Sequence, residues 1–240
     1  MKYPLQEYKW CAIMIKNSQR RSAMPVRVGL KYIEQWKSSM EKEVLKYEEE
    51  PIRKGQIVFY GPSNFTRWSA KYKHTPLSEA VVGKSGNPCC INRGFGSSNA
   101  EHQLYYYPRM VRPLEPKVLV YSGFGNYRAF GYSLEEVWEI CQRVIAYALT
   151  DFPDIQIYLC SQQQHKKDDD VYRVHHEKSS AWMSEFCENT PNCHFLNILD
   201  YEPLQRDDIF VEDGVHFNQT GYDLYADFFK EALKKELENF

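Results

Sequence analysis

The sequence predicts a three-layer α/β/α domain in which helices cover both faces of a five-stranded parallel sheet. Short apolar segments alternate five times with longer amphipathic segments, which is typical of repeated β-α units. Several of the apolar segments end in glycine-bearing turns, and α/β sheets bind ligands at the carboxyl ends of their strands. We divide the 240 residues into an N-terminal leader, residues 1–25, and a single domain, residues 26–240.

The helices and strands follow from local patterns. Apolar residues spaced by three or four predict a helix over residues 26–49, which Pro51 ends because its ring cannot continue the helix. Ser133, with a glutamate three residues later, forms a capping box for a helix over residues 134–149. The charged segment 161–170 is most simply a solvated loop. The other predicted elements are helices over residues 100–111 (capped by Asn99), 171–188 and 220–237, and strands over residues 56–60, 89–92, 117–121, 155–160 and 194–198.

The composition is that of an ordinary globular protein, with 43% hydrophobic and 26% charged residues. A net charge of −2 offers no electrostatic argument for binding nucleic acid or an acidic membrane surface. The apolar piece at residues 10–15 is too short for a signal peptide, and no run approaches the ~18 residues of a membrane helix. We therefore expect a cytoplasmic protein that contacts neither nucleic acid nor a membrane.

The seven cysteines lack the spacing of a disulfide framework or a zinc site. Buried thiols in a reducing compartment explain them best. His175 and His176 are adjacent in a predicted helix, so their side chains point apart. We expect no metal site and no cofactor.

Four segments place reactive side chains at one edge of the predicted sheet. Ser63 directly follows the first strand, and His216 lies in an Asp-Gly-Val-His segment before the last helix. A serine hydroxyl is a weak nucleophile unless a base takes its proton. His216 is the expected base, and Asp213 can accept the other ring N–H and so fix the tautomer. Ser63 could instead cap a helix, and His216 could be a surface residue near a helix start.

Attack on an ester carbonyl creates an oxyanion that needs hydrogen-bond donors. The backbone N–H groups of Ser63 and Ser97 and the side-chain amide of Asn126 are suited to this role, because each follows a different predicted strand. The simpler alternatives are that Ser97 belongs to an ordinary loop and that Asn126 is an ordinary turn residue.

These segments resemble, in order, the motif blocks of the SGNH (GDSL-type) hydrolases. The matching segments are Ile57-Val-Phe-Tyr-Gly-Pro-Ser63, Ile91-Asn-Arg-Gly-Phe-Gly-Ser-Ser98, Pro116-Lys-Val-Leu-Val-Tyr-Ser-Gly-Phe-Gly-Asn126 and Asp213-Gly-Val-His-Phe-Asn-Gln-Thr-Gly-Tyr222. The resemblance covers the chain from about residue 30 to its last residue. It implies a flavodoxin-like sheet and ester hydrolysis, with Ser63, Ser97, Asn126 and the Asp213/His216 pair in the roles described above.

The sequence departs from the family pattern at three positions. Pro62 stands where the family has aspartate, Ser97 where it has the oxyanion glycine, and Tyr127 where it has aspartate after the asparagine. Counting from Pro116 aligns Asn126 with the family's asparagine, whereas anchoring on Gly123 would put Gly125 there. We choose Asn126.

The expected function is a serine esterase that acts on a small-molecule ester with a small acyl group, an acetylated carbohydrate being one candidate. Two alternatives use the same fold. The departures at Pro62, Ser97 and Tyr127 could leave a weakened or inactive binding or scaffolding protein. An acyltransferase would use the same residues and would differ only in the acceptor that enters second.

Overall fold

The computed structural model describes residues 33–166 and 168–240. The predicted leader and the first part of the helix predicted over residues 26–49 lie outside the described residues. The helices are α1 (Ile33–Glu48), α2 (Ser63–Thr66), α3 (Leu77–Ala80), α4 (Ala100–Met110), α5 (Leu134–Asp151), α6 (Asp170–Glu188), α7 (Gln219–Ala232) and α8 (Lys234–Leu237). The strands are β1 (Ile57–Gly61), β2 (Cys90–Gly94), β3 (Val118–Tyr121), β4 (Gln156–Cys160) and β5 (Cys193–Leu196).

The five strands form one parallel sheet in the order β2-β1-β3-β4-β5. The predicted five-stranded parallel sheet is therefore confirmed. All five residues of β1 are buried, because β1 pairs with β2 on one side and β3 on the other while helices cover both faces. An uninterrupted apolar strand is what a parallel sheet buried on both faces requires.

Alternate residues of the strands enter two separate cores, which confirms the three layers. Val58 and Tyr60 point into a core that they share with side chains from α1, α4, α5 and α6. Ile57 and Phe59 point into the opposite core with side chains from α3, α7 and α8. The alternation arises because successive side chains of a strand face opposite sides of the sheet.

Both predicted helix caps are present. The backbone N–H of Glu136 donates to Ser133 Oγ at 3.1 Å, and the N–H of Ser133 donates to Glu136 Oε2 at 2.8 Å. At the start of α4, the N–H of His102 donates to Asn99 Oδ1 at 3.2 Å. These side chains satisfy donors that helix starts otherwise leave unpaired, so they fix where α4 and α5 begin behind the site.

Two sequence expectations need correction. The segment 161–170 is not simply solvated, because Gln163 is buried and the Asp168 side chain is only 4% exposed between His165 and His176. The last predicted helix is interrupted at Leu233, which separates α7 from α8. The apolar periodicity continues across this interruption and therefore does not reveal it.

None of the helices in the described part of the chain is long and apolar enough to cross a membrane. The cysteines of this part are free thiols, and all except Cys187 are buried. Burial raises the pKa of the Cys141 thiol to about 12, so this thiol stays protonated and packs as a small apolar group.

Candidate active site

The turns that follow β1, β2 and β3 meet at the carboxyl edge of the sheet. Gly94, at the end of β2, lies so close to α2 that an added Cβ would sit 2.4 Å from the backbone nitrogen of Thr66. An added Cβ on Gly125, in the turn after β3, would sit 2.5 Å from Pro62 Cγ. Glycine at these two positions lets three loops pack closely around Ser63.

Ser63 is the first residue of α2 and does not act as its cap. Pro62 occupies the N-cap position and accepts hydrogen bonds from the N–H groups of Phe65 and Thr66 at 3.2 and 3.3 Å. Proline fits here because this position requires a carbonyl acceptor rather than an N–H donor. The side chain of Ser63 is left for another contact, and its Oγ lies 2.8 Å from His216 Nε2.

The loop between Asp213 and His216 holds the histidine ring against a carboxylate. Asp213 Oδ1 accepts the N–H groups of Val215 at 2.8 Å and His216 at 2.9 Å, and its Oδ2 lies 2.7 Å from His216 Nδ1. An aspartate that binds the backbone two and three residues later closes a tight turn. A local turn and a ring contact therefore use the same carboxylate.

The charges of the pair favour a neutral histidine beside an ionised aspartate. Burial alone would raise the pKa of the Asp213 carboxyl, but hydrogen bonds from His216 and Val215 hold it well below its usual range. Burial lowers the pKa of His216, the positive charge of Arg67 lowers it further, and Asp213 opposes both effects. The ring proton then sits on Nδ1 facing Asp213, and Nε2 can accept the proton of Ser63.

Arg67 also lies at the candidate site, although the sequence motifs do not include it. Its Nη1 lies 3.2 Å from Asp213 Oδ2, the same oxygen that faces the histidine ring. Arg67 ends α2 with a helical backbone and follows Ser63 by four residues, and this spacing puts both side chains on the same side of the turn. That spacing is the signal that would have identified it.

The predicted oxyanion donors lie in loops that contact one another. Asn126 Nδ2 donates one hydrogen bond, to the carbonyl oxygen of Ser98 at 2.9 Å, and an amide nitrogen carries two hydrogens. Among the described residues, the backbone N–H groups of Ser63 and Ser97 have no acceptor. These N–H groups and the second hydrogen of Asn126 are thus available to a ligand.

Ser97 and Asn126 both adopt left-handed backbone conformations, with φ of 60° and 59°. Such a conformation costs a residue with a Cβ about 1–2 kcal/mol, and asparagine tolerates it better than serine. Ser97, which stands where the family has a glycine, therefore adopts a backbone conformation that glycine would adopt without strain. Its side chain is exposed, and its N–H is retained.

Tyr127, at the third departure from the family pattern, is buried and contacts α6. Its hydroxyl lies 2.5 Å from His175 Nδ1, while His176 on the adjacent face contacts Asp168 through Nε2 at 3.3 Å. The two histidines therefore point apart as predicted. In the described part of the chain, no group of three or more histidine, cysteine or acidic residues could hold a metal ion.

Two cavities in the described part of the chain lie away from Ser63 and His216. One of about 330 Å³ is lined by Asp168, His176 and Asn197, among others. Another of about 300 Å³ lies between α1 and β2, beside Tyr47 and Trp68. Ser63 is instead half-buried at the sheet edge, and the His216 side chain is 13% exposed.

The sequence matches no protein-family model and no curated protein sequence. Solved structures do match. A GDSL-like lipase from Bacteroides thetaiotaomicron superposes with a TM-score of 0.61 at 17% identity, over 87% of this chain and 100% of that one. The chain has the SGNH hydrolase fold.

Two further structures with this fold are similar to the chain. A family 3 carbohydrate esterase from Talaromyces cellulolyticus has a TM-score of 0.54 at 12% identity, over 78% of this chain and 99% of that one. The catalytic domain of peptidoglycan O-acetyltransferase A from Streptococcus pneumoniae has a TM-score of 0.53 at 20% identity, over 77% of this chain and 95% of that one. The resemblance to SGNH hydrolases is thus confirmed at the level of the fold.

Proposed function

We propose that the chain is a serine esterase that hydrolyses a small acyl ester. Ser63 is the nucleophile, His216 the general base and Asp213 the residue that orients the base. The observation that carries the proposal is the continuous path from Asp213 Oδ2 to His216 Nδ1 at 2.7 Å and from His216 Nε2 to Ser63 Oγ at 2.8 Å. These are the separations at which a base can remove a hydroxyl proton.

The reaction proceeds in two transfers. Ser63 Oγ attacks the ester carbonyl carbon as its proton moves to His216 Nε2, and the carbonyl oxygen becomes an oxyanion. The N–H groups of Ser63 and Ser97 and the amide of Asn126 donate to this oxygen. The bond to the alcohol breaks as His216 returns the proton to the leaving oxygen. Water then repeats the sequence on the acyl-serine and releases the acid.

An acetylated carbohydrate is the substrate that we favour. Ser63 is half-buried at the carboxyl edge of the sheet, and Asp213, at the other end of the proposed triad, is exposed, so this edge meets solvent on the side of Asp213. An exposed edge suits a large polar alcohol that carries a short acyl group. The name of the family 3 carbohydrate esterase with the same fold supports this choice.

Acyl transfer to an acceptor other than water is the second candidate. The resemblance to the catalytic domain of a peptidoglycan O-acetyltransferase favours it. The first half of the reaction is identical, and only the second nucleophile differs. Product analysis in the presence of sugar acceptors separates the two: free acetate indicates hydrolysis, and an acetylated sugar indicates transfer.

Ser63→Ala tests the proposal, with Ser69→Ala as its matched control. Within the described residues, the hydrogen bond of Ser69 Oγ goes to the carbonyl oxygen of Thr66, at 3.0 Å. We expect Ser63→Ala to lower turnover of p-nitrophenyl acetate by on the order of 10⁴-fold or more. We expect Ser69→Ala to keep the parental turnover.

A fluorophosphonate probe provides the second readout. It should label the parent at Ser63, as located by mass spectrometry. Equal turnover in Ser63→Ala and the parent would contradict the proposal. A folded parent with neither turnover nor labelling would favour the inactive binding protein.

A further inference from the structure

Gln163 joins the residue after the proposed nucleophile to the residue before the proposed base. Its Oε1 accepts a hydrogen bond from Asn64 Nδ2 at 2.6 Å, and its Nε2 donates one to the carbonyl oxygen of Val215 at 3.3 Å. Asn64 directly follows Ser63, and Val215 directly precedes His216. One side chain thus links the start of α2 to the histidine turn, two segments that carry Ser63 and His216, which are 153 residues apart in sequence.

The Gln163 bridge, meaning its hydrogen bonds to Asn64 and Val215, belongs to a loop that is itself hydrogen-bonded to the sheet. Gln163 is only 7% exposed, in the loop that follows β4. Two residues earlier, Ser161 fastens this loop to β5: its N–H donates to the Leu196 carbonyl at 2.9 Å, and its Oγ accepts from the N–H of Ile198 at 2.9 Å. Since the loop is fixed to the sheet at Ser161, Gln163 holds Asn64 and Val215 at set positions.

The loop contacts the histidine turn at a second point. The N–H of Lys166 donates to the carbonyl oxygen of Gly214 at 3.0 Å. Gly214 lies inside the turn that Asp213 closes. The segment from Gln163 to Lys166 therefore supports two successive residues of the turn that carries the base.

Both ends of the Gln163 amide are needed for the bridge. Glutamine supplies an acceptor for Asn64 and a donor for Val215 from one planar group. A carboxylate at this position would lack the donor, and an apolar side chain would lack both. The start of α2 and the histidine turn would then be joined mainly through the Ser63–His216 and Arg67–Asp213 contacts.

We propose that Gln163 is a positioning residue that sets the distance and orientation between Ser63 and His216. The inference rests on the proposed esterase function, because alignment of these two residues matters only if a proton passes between them. Misplacing reacting groups by about 1 Å can lower a rate by about 100-fold. The loss should appear in kcat rather than in KM, since the side-chain hydrogen bonds of Gln163 go to Asn64 and Val215 and not to the proposed oxyanion donors.

Gln163→Met tests the inference with Gln162→Met as its control. Methionine is close to glutamine in volume and removes both bonds of the bridge. Gln162 is a neighbouring buried glutamine of the same loop, and it donates to Ser179 Oγ on α6 at 2.9 Å, away from the site. Each variant therefore removes buried hydrogen bonding from the same loop, and only one of them touches the bridge.

We expect Gln163→Met to lower kcat for p-nitrophenyl acetate by about 10-fold or more, with KM within about twofold of the parent. The rate at which a fluorophosphonate labels Ser63 should fall in parallel. Gln162→Met should keep kcat within about twofold while it loses comparable thermal stability. Equal kcat in the two variants, in a parent that is labelled at Ser63, would overturn the inference and leave the esterase proposal intact.

Asn64→Ala approaches the same bridge from its other end. This substitution should lower kcat without changing KM, and full kcat in Asn64→Ala would overturn the inference even if Gln163→Met does not fold. Combining Asn64→Ala with Gln163→Met should be no worse than Gln163→Met alone, because both act on one contact. Additive losses would contradict the bridge. A parent that is neither labelled nor active would overturn the inference together with the esterase proposal.

Discussion

The oxyanion role of Asn126 can be tested with a pair of glycine substitutions. Asn126 and Ser97 both have φ near +60°, and both are predicted to contribute a donor. Ser97 would contribute its backbone N–H, which glycine keeps, whereas Asn126 would contribute its side-chain amide, which glycine lacks. Ser97→Gly and Asn126→Gly thus make the same backbone change but differ in whether a donor is lost.

The stability effects follow from the dihedral angles. Relief of the left-handed conformation at Ser97 is worth about 1–2 kcal/mol. The added freedom of glycine in the unfolded chain costs about 0.4–1 kcal/mol. Ser97→Gly should therefore stabilise the fold by at most about 1.6 kcal/mol, and raise Tm by at most about 6 °C in a domain of this size. Asn126→Gly gains less, and it loses the 2.9 Å bond to Ser98, worth about 1 kcal/mol.

The activity effects should diverge much more. Removing one oxyanion donor costs about 2.7–4 kcal/mol of transition-state stabilisation, so Asn126→Gly should lower kcat by about 100- to 1,000-fold. Ser97→Gly should keep kcat within about threefold. Turnover of p-nitrophenyl acetate, measured alongside thermal denaturation, gives both quantities for each variant. Parental kcat in a folded Asn126→Gly variant would refute the oxyanion role and favour the alignment that is anchored on Gly123.

Three further predictions concern the base, the packing of the loops and a helix cap. Arg67→Met removes a positive charge that lowers the pKa of His216, so this pKa should rise. Because the proposed base works only when neutral, the acid limb of the pH profile of kcat/KM should move to higher pH. An unchanged profile would contradict the role of Arg67. Gly94→Ala puts a Cβ 2.4 Å from the backbone nitrogen of Thr66 in α2, so the free energy of unfolding measured in urea should fall by about 1–3 kcal/mol or more. An unchanged free energy of unfolding would mean that α2 can shift. Ser133→Ala should cost about 1 kcal/mol, measured by thermal denaturation, with no change in KM, whereas an unchanged Tm would show that the cap of α5 contributes little.

The fold could be predicted in detail because its signals are local. The apolar run of β1 and the capping box at Ser133 each depend on residues within a few positions of one another. Strand ends differed from prediction by two residues at most, as for β2, which ends at Gly94 rather than at residue 92. Tertiary hydrogen bonds set such ends, since the ladder between β1 and β2 continues through the Gly61–Gly94 pair.

The burial of segment 161–170 could not be predicted from its composition. Its glutamines and aspartates are typical of exposed loops, yet Asp168 is enclosed by His165 and by His176 of α6. A buried carboxylate is stable only with such partners, and hydrogen bonds from the two histidines hold the pKa of Asp168 below its usual range despite its burial. These partners meet only after α6 packs against the sheet.

By itself, the sequence determined the order of the strands and helices along the chain. It also determined which residue types reach the candidate site: Ser63 after β1, Ser97 after β2, Asn126 after β3, and an Asp-Gly-Val-His turn before α7. These follow from local patterns and from the rule that parallel strands end at one edge. Only the tertiary structure decided the 2.8 Å contact between Ser63 and His216, and the side chains such as Gln163 that support it. Hydrogen-bond geometry across distant loops depends on packing to within a fraction of an ångström, which no local pattern encodes.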